Sequence, residues 1–133
     1  MDIEKDVELP FPPAAVYAAW VSSDTVIPPA TAMDIDPVVG GHYRLLVKDE
    51  QWDTRNEGTF LAVEEGKHLR YTWEWDNNGD VTEIDVRFEA CPAGTRLLLV
   101  HSGFESQESC DNHSAGWDGH FPQLIAFMHK AAG

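Results

Sequence analysis

The sequence predicts an α+β fold in which a curved antiparallel sheet of six to seven strands wraps around one long C-terminal helix, with short helices after the first strand. Three observations carry this. Most of the chain divides into short segments with apolar residues at every second position, the pattern of half-buried strands. Residues that favour tight turns separate those segments at close intervals, which suits a meander of hairpins. The period changes once, near the C-terminus, where Trp117, Phe121, Leu124, Ile125 and Met128 recur every three or four residues as a buried helical stripe does. A sheet with one apolar face and a single amphipathic helix bury both surfaces when the sheet curls over the helix.

In chain order, Ile3, Val7 and Leu9 share one face of a strand over residues 2 to 9, opposite Asp2, Glu4, Asp6 and Glu8; Lys5 is the one charged residue on the apolar side. Pro12 and Pro13 suit the first turn of a short helix from about 13 to 21, because a first-turn N–H has no intrahelical partner to lose. Val16 and Trp20, at i and i+4, share its face. Pro28, Pro29 and Pro37 break the connection that follows, apart from a brief strand at Met33 to Asp36. Gly40 and Gly41 lead into Tyr43, Leu45 and Val47, which alternate with Arg44 and Lys48, while Leu46 interrupts the polar face. Residues 49 to 57 read as a polar turn, Thr59 to Glu64 as a strand, and Leu69 to Trp75 as the cleanest alternation in the chain. The Asp76 to Asp80 segment has the composition of a hairpin loop, followed by Thr82, Ile84, Val86 and Phe88 on one strand face. Pro92-Ala93-Gly94 turns the chain into Thr95, Leu97, Leu99 and His101. The final helix is expected over 114 to 130 with Asn112 or Ser114 as its cap; Pro122 either kinks it or sets the start of its regular part near Phe121.

Composition bounds the function. A chain of 133 residues fits one domain over 1–133, long enough for a proper core. Nine basic against 23 acidic residues give a formal charge of −14, which repels phosphate backbones and anionic headgroups, so no nucleic acid and no membrane insertion are expected. Cys91 and Cys110 are too few for a disulfide scaffold and lack the spacing of zinc or redox sites, so free thiols are expected. The N-terminus has neither the basic nor the apolar region of a secretion signal, and a cytoplasmic location is expected.

Several local signatures occur in an order similar to that of one family: Phe11-Pro-Pro-Ala-Ala-Val-Tyr-Ala-Ala-Trp20, Pro37-Val-Val-Gly-Gly-His-Tyr-Arg44, Gly58-Thr-Phe60, Leu69-Arg-Tyr-Thr-Trp73, and Thr95 to Phe104 with Gly116-Trp117. Together they cover nearly the whole chain and resemble the START-like, or SRPBCC, superfamily, in the branch named after the C-terminal domain of the activator of Hsp90 ATPase. The resemblance implies a helix-grip fold with a cavity between sheet and last helix, used across the superfamily for apolar molecules. In place of the family's second short helix, which commonly carries a tryptophan, this chain has the proline-rich Ile27-Pro-Pro-Ala-Thr-Ala.

The expected function is binding of a small hydrophobic or amphipathic ligand in that cavity. The residues expected at it are Trp20, Tyr43, Tyr71, Trp73, Trp75, Ile84, Val86, Leu97, Leu99, His101, Trp117, Phe121 and Leu124. Gly103 and Gly116 are expected to bound a loop framing its mouth, with a kink at Pro122 opening a gap beneath His101 and Trp117 acting as an apolar lid. Two readings of His101 stand side by side: a ligand anchor or general base, and a buried histidine bonded to a neighbour. Core packing explains the aromatic residues as well as a pocket does. Trp52 lies in a polar loop and reads as a cavity cap or a surface residue. His113 and His120 read as surface residues rather than metal ligands with His101 or Asp118, and no metal or cofactor is expected. No nucleophile motif, phosphate loop or catalytic carboxylate pair is present. The alternatives are a cyclase- or aromatase-like enzyme using the same cavity, with Tyr71 or Tyr43 as partner to His101, and a protein-interaction domain like the Hsp90 co-chaperone, with a protein partner or homodimer. With a first strand expected from about residue 2, no additional N-terminal domain like that of the co-chaperone is expected.

Overall fold

A computed structural model describes residues 2–25, 31–48, 53–75 and 79–132. Its elements are β1 (Ile3–Leu9), α1 (Pro13–Trp20), β2 (Ala32–Ile35), β3 (His42–Lys48), β4 (Asp53–Glu64), β5 (His68–Trp75), β6 (Val81–Cys91), β7 (Gly94–Ser102) and α2 (Gln107–Ala132). The seven strands form one antiparallel sheet in the order β1-β7-β6-β5-β4-β3-β2. Strands β2 to β7 thus make a meander, and β1 closes onto its last strand with Ile3 opposite His101 and Leu9 opposite Thr95. The architecture is α+β and helix-grip-like, as the alternation and the single change of period predict.

The expected inward faces of β6 and β7 are buried throughout, while that of β5 opens toward Trp75, which is 39% exposed. Thr82, Ile84, Val86 and Phe88 on β6, and Thr95, Leu97, Leu99 and His101 on β7, are all under a tenth exposed. Ile84, Val86, Phe88, Leu97 and Leu99 meet Phe121, Leu124 and Met128 of α2 in one cluster that also holds Leu9, Val16, Tyr17 and Trp20. Each fully buried leucine or isoleucine here contributes roughly 1.5–3 kcal/mol relative to exposure. Lys5, the misfit on β1, reaches α2 instead of water: its Nζ lies 2.8 Å from an Asp118 carboxylate oxygen and donates to Ser114 Oγ at 2.9 Å.

The structure corrects three local expectations. β4 begins at Asp53, so residues 53 to 57 are strand rather than turn. This strand lies between β3 and β5, and ladders on both sides satisfy its backbone whatever its side chains; Thr54 and Asn56 are buried on its inner face. Gly58 is required there, because a Cβ would overlap the Thr72 carbonyl on β5. The last helix begins at Gln107, not 114. Ser106 caps it, its Oγ accepting from Ser109 N–H at 3.1 Å and its carbonyl from Cys110 N–H at 3.1 Å, so Asn112 and Ser114 lie inside the helix. Pro122 sits within the continuous helix, and its regular part does not wait for Phe121. Pro122 and Asp118, the residue whose carbonyl loses its partner, are both exposed, so water can replace the missing bond. One short helix, α1, follows β1 among the described residues; Pro28, Pro29, Trp52 and residues 76 to 78 of the hairpin loop lie outside them.

Candidate functional site

His101 is fully buried and both its ring nitrogens are used. The Trp117 indole donates to Nδ1 at 3.1 Å, and Nε2 lies 2.7 Å from Thr82 Oγ1. Because an indole N–H can only donate, Nδ1 is bare and Nε2 carries the proton, which goes to Thr82; the Thr82 hydroxyl in turn donates to the Trp73 carbonyl at 3.1 Å. Burial, reinforced by the neighbouring His113, pushes the His101 pKa down to about 3. The ring is a neutral tie between β7, β6 and α2, which is the second of its two readings.

The expected gap beneath His101 is therefore absent, since Trp117 is bonded to it. Trp117 also stacks on Trp20, with centroids 5.8 Å apart and planes 11° from parallel, and on Phe121. Nor do Gly103 and Gly116 bound a loop, because Gly116 lies inside α2. Tyr71, Ile84, Val86, Leu97, Leu99 and Phe121, expected at the cavity, pack as core at 5 % exposure or less. Tyr71 accepts from the Trp20 indole at 3.2 Å and stacks on Tyr43. These positions are covered because α1 packs on β6 and β7, and Phe121, Leu124 and Met128 of α2 sink into the same cluster.

The cleft lies to the other side. It has a volume of about 340 Å³ and separates the middle of α2, from Ala115 to Leu124, from β2, β3 and the end of β5. Alternation on β3 brings Tyr43, Leu45 and Val47 to its floor, and Trp73 and Trp75 come from β5. Met33 of β2, Trp20 of α1 and Thr25 complete the sheet side. The helix presents Ala115, Gly116, Gly119, His120, Gln123 and Leu124, positions that recur with helical spacing along one flank. A Cβ at Gly116 or Gly119 would meet nothing within 4 Å, so the cleft owes part of its width to two missing side chains.

Of the residues the sequence singled out, the structure brings Trp20, Tyr43, Trp73, Trp75 and Leu124 together at this cleft; His101 and Trp117 are not part of its lining. His120 is the residue that the sequence reading placed elsewhere, on the surface. Its spacing held a signal: it lies three residues after Trp117 and four before Leu124, on the margin of the apolar stripe. Its ring meets Trp20 and Trp117 edge-on, at 82° and 87°, and burial pushes its pKa down to about 4. Neither ring nitrogen has a hydrogen-bond partner among the described residues.

The cleft is apolar in character. None of the lining residues among those described is Asp, Glu, Lys or Arg. Burial raises the pKa of Tyr43 far above the ordinary phenol range, so its hydroxyl stays protonated. Among the described residues no cluster of His, Cys, Asp and Glu could hold a metal ion, and no helix is long and apolar enough to cross a membrane.

Comparison with known proteins decides the family. Residues 10–129 match the sequence profile of the activator of Hsp90 ATPase homolog 1-like proteins. The chain belongs to that family. Solved structures agree in fold. An activator of Hsp90 ATPase homolog 1-like protein from Aeromonas hydrophila is 25% identical with a TM-score of 0.79, matching 99% of this chain and 94% of its own. A Chromobacterium violaceum protein is 23% identical with a TM-score of 0.81 over 96% of both chains. A protein of unknown function from Staphylococcus aureus is 17% identical with a TM-score of 0.83, over 99% and 95%. No significant match exists among curated proteins. Membership in the family fixes the fold and leaves the ligand open.

Proposed function

We propose that this member of the family binds one small, largely apolar or amphipathic molecule in the cleft between α2 and the β2–β3 side of the sheet. The observation that carries the reading is the cleft itself: about 340 Å³, floored by aromatic and aliphatic side chains, and flanked by a helix face bare of side chains at two positions. This volume is at the lower end of the ~300–1,000 Å³ of small-molecule sites. A ring system of two or three fused rings suits it better than a long acyl chain. The cyclase-like alternative loses its expected base, because His101 has no free nitrogen. Binding without chemistry is the simpler account. A co-chaperone-like role is a separate proposal, tested by adding the purified chain to an Hsp90 ATPase assay.

The test is a thermal-shift screen of fused-ring and acyl compounds, with hits checked by native mass spectrometry. A ligand that binds only the native state raises its melting temperature. Gly119→Leu should fold, fill the cleft and abolish the shift. If no compound stabilises the chain, or if Gly119→Leu binds every hit as well as the unsubstituted chain, the reading fails.

A further inference from the structure

His120 is the one imidazole of the cleft, and its position is specific. Three aromatic rings hold it edge-on, those of Trp20, Trp117 and Phe121. Unlike His101, it makes no hydrogen bond among the described residues, yet it lines the cleft. A neutral imidazole offers one bare nitrogen as an acceptor and one N–H as a donor. Tyr43, on the sheet side, likewise lines the cleft, and its hydroxyl has no partner among the described residues. Gln123 is oriented differently: its Nε2 donates to the Gly119 carbonyl at 3.2 Å, which leaves its side-chain oxygen as an acceptor. The polar groups available to a ligand are thus neutral, and at least two of them accept.

Charge narrows the ligand further. A carboxylate entering this cleft would leave water with no Lys or Arg among the lining residues to meet it, in a chain of net charge −14. An organic cation could use the rings of Trp20, Tyr43, Trp73 and Trp75, and an ammonium could donate to His120, but it would give up its hydration with no anion at the lining to balance its charge. A planar molecule, by contrast, can lie between the glycine positions of α2 and the β5 tryptophans with its edge toward His120.

Building on the cleft as a ligand site, we propose that His120 selects what enters it: uncharged planar aromatic molecules that carry a hydroxyl donor, in preference to carboxylates, organic cations and aromatics without a donor. The ligand hydroxyl donates to the bare nitrogen of His120. Tyr43, which also lines the cleft, offers its hydroxyl as a second neutral polar group.

The test is titration calorimetry of the full chain at pH 7.5 with four compounds of one ring shape: 2-naphthol, 2-methoxynaphthalene, 2-naphthoate and 2-naphthylmethylammonium. The naphthol should bind about tenfold more tightly than the methyl ether, the scale of one buried hydrogen bond, and the two charged compounds at least as weakly as the ether. His120→Phe should reduce naphthol to the level of the ether while leaving the ether unchanged, which also shows that the variant folds. Equal binding of naphthol and ether, or tightest binding of the carboxylate or the ammonium, overturns the role of His120, and the unsubstituted chain alone decides this. Failure of all four compounds where the broader screen finds a ligand displaced by Gly119→Leu overturns this inference and leaves the cleft reading standing.

Discussion

Lowering the pH should unlock the two sides of α2 through His101 and His120. Both are held neutral in the folded chain, with pKa values pushed down to about 3 and about 4 from an ordinary 6.5. The sign follows from linkage. As the pH falls below about 6.5 the unfolded chain takes up a proton on each histidine and the folded chain does not, so stability is complete above that value and declines below it. The decline continues until each folded-state pKa is reached. At pH 5 the loss is about 2 kcal/mol for each fully shielded histidine, with a slope near 1.4 kcal/mol per pH unit, and somewhat less for half-buried His120. Urea unfolding from pH 7.5 to 5.0 measures it, comparing the unsubstituted chain with His120→Phe and His101→Gln. Glutamine can still accept from Trp117 and donate to Thr82, so the second variant removes the titration with the least damage to the tie. Each variant should flatten the profile by the share of its histidine. If the double variant loses stability as steeply as the unsubstituted chain over this range, other groups govern the acid response and the neutral-histidine argument is wrong.

Two further outcomes follow from named contacts. Trp117→Phe keeps most of the ring contact with Trp20 but leaves the buried Nδ1 of His101 without a donor, and should cost about 1–3 kcal/mol in denaturant unfolding; a change under half a kcal/mol would mean that the bond contributes nothing. Gly116→Ala and Gly119→Ala should each stabilise the chain by about 0.5–1 kcal/mol, since the added Cβ meets nothing and helix-interior glycine is disfavoured; destabilisation by either would show that the helix needs glycine for its backbone and not for the cleft.

Most strands were legible because they combine near-regular alternation with turn residues beside them, and Leu69 to Trp75 is the plainest case. The first half of β4 was not, because Thr54, Arg55, Asn56 and Glu57 look like loop; only its position between two other strands makes them pair. The start of α2 was hidden for a similar reason. Its first turns are polar and its middle holds Gly116 and Gly119, so local propensity gave no helix signal until the apolar stripe began. At the site, alternation correctly assigned Tyr43, Trp73 and Trp75 to the inner face. It could not say which inner residues the helix covers and which it leaves open, since that depends on where α2 crosses the sheet. Hence alternation groups Leu97, Leu99 and His101 with residues that line the cleft, while the sequence around His120 reads as surface.

The crossing itself is explained by the anchors. Lys5 of β1 holds Asp118 and Ser114, His101 of β7 holds Trp117, and Phe121, Leu124 and Met128 sink into the core. All of these fix α2 over the β1–β7 edge of the sheet or its middle. At the other edge the helix offers glycines at 116 and 119, and a polar pair, His120 and Gln123, where leucines would have closed the space. A helix under selection for stability alone has no use for glycines at 116 and 119, each less favourable than alanine by roughly 1 kcal/mol. The arrangement makes sense if one flank of α2 packs the domain and the other is kept open for something that is not protein. On that view the tie through His101 and the free ring of His120 are complementary: the first holds the helix rigid so that the second, one turn along, faces the cleft at a fixed position.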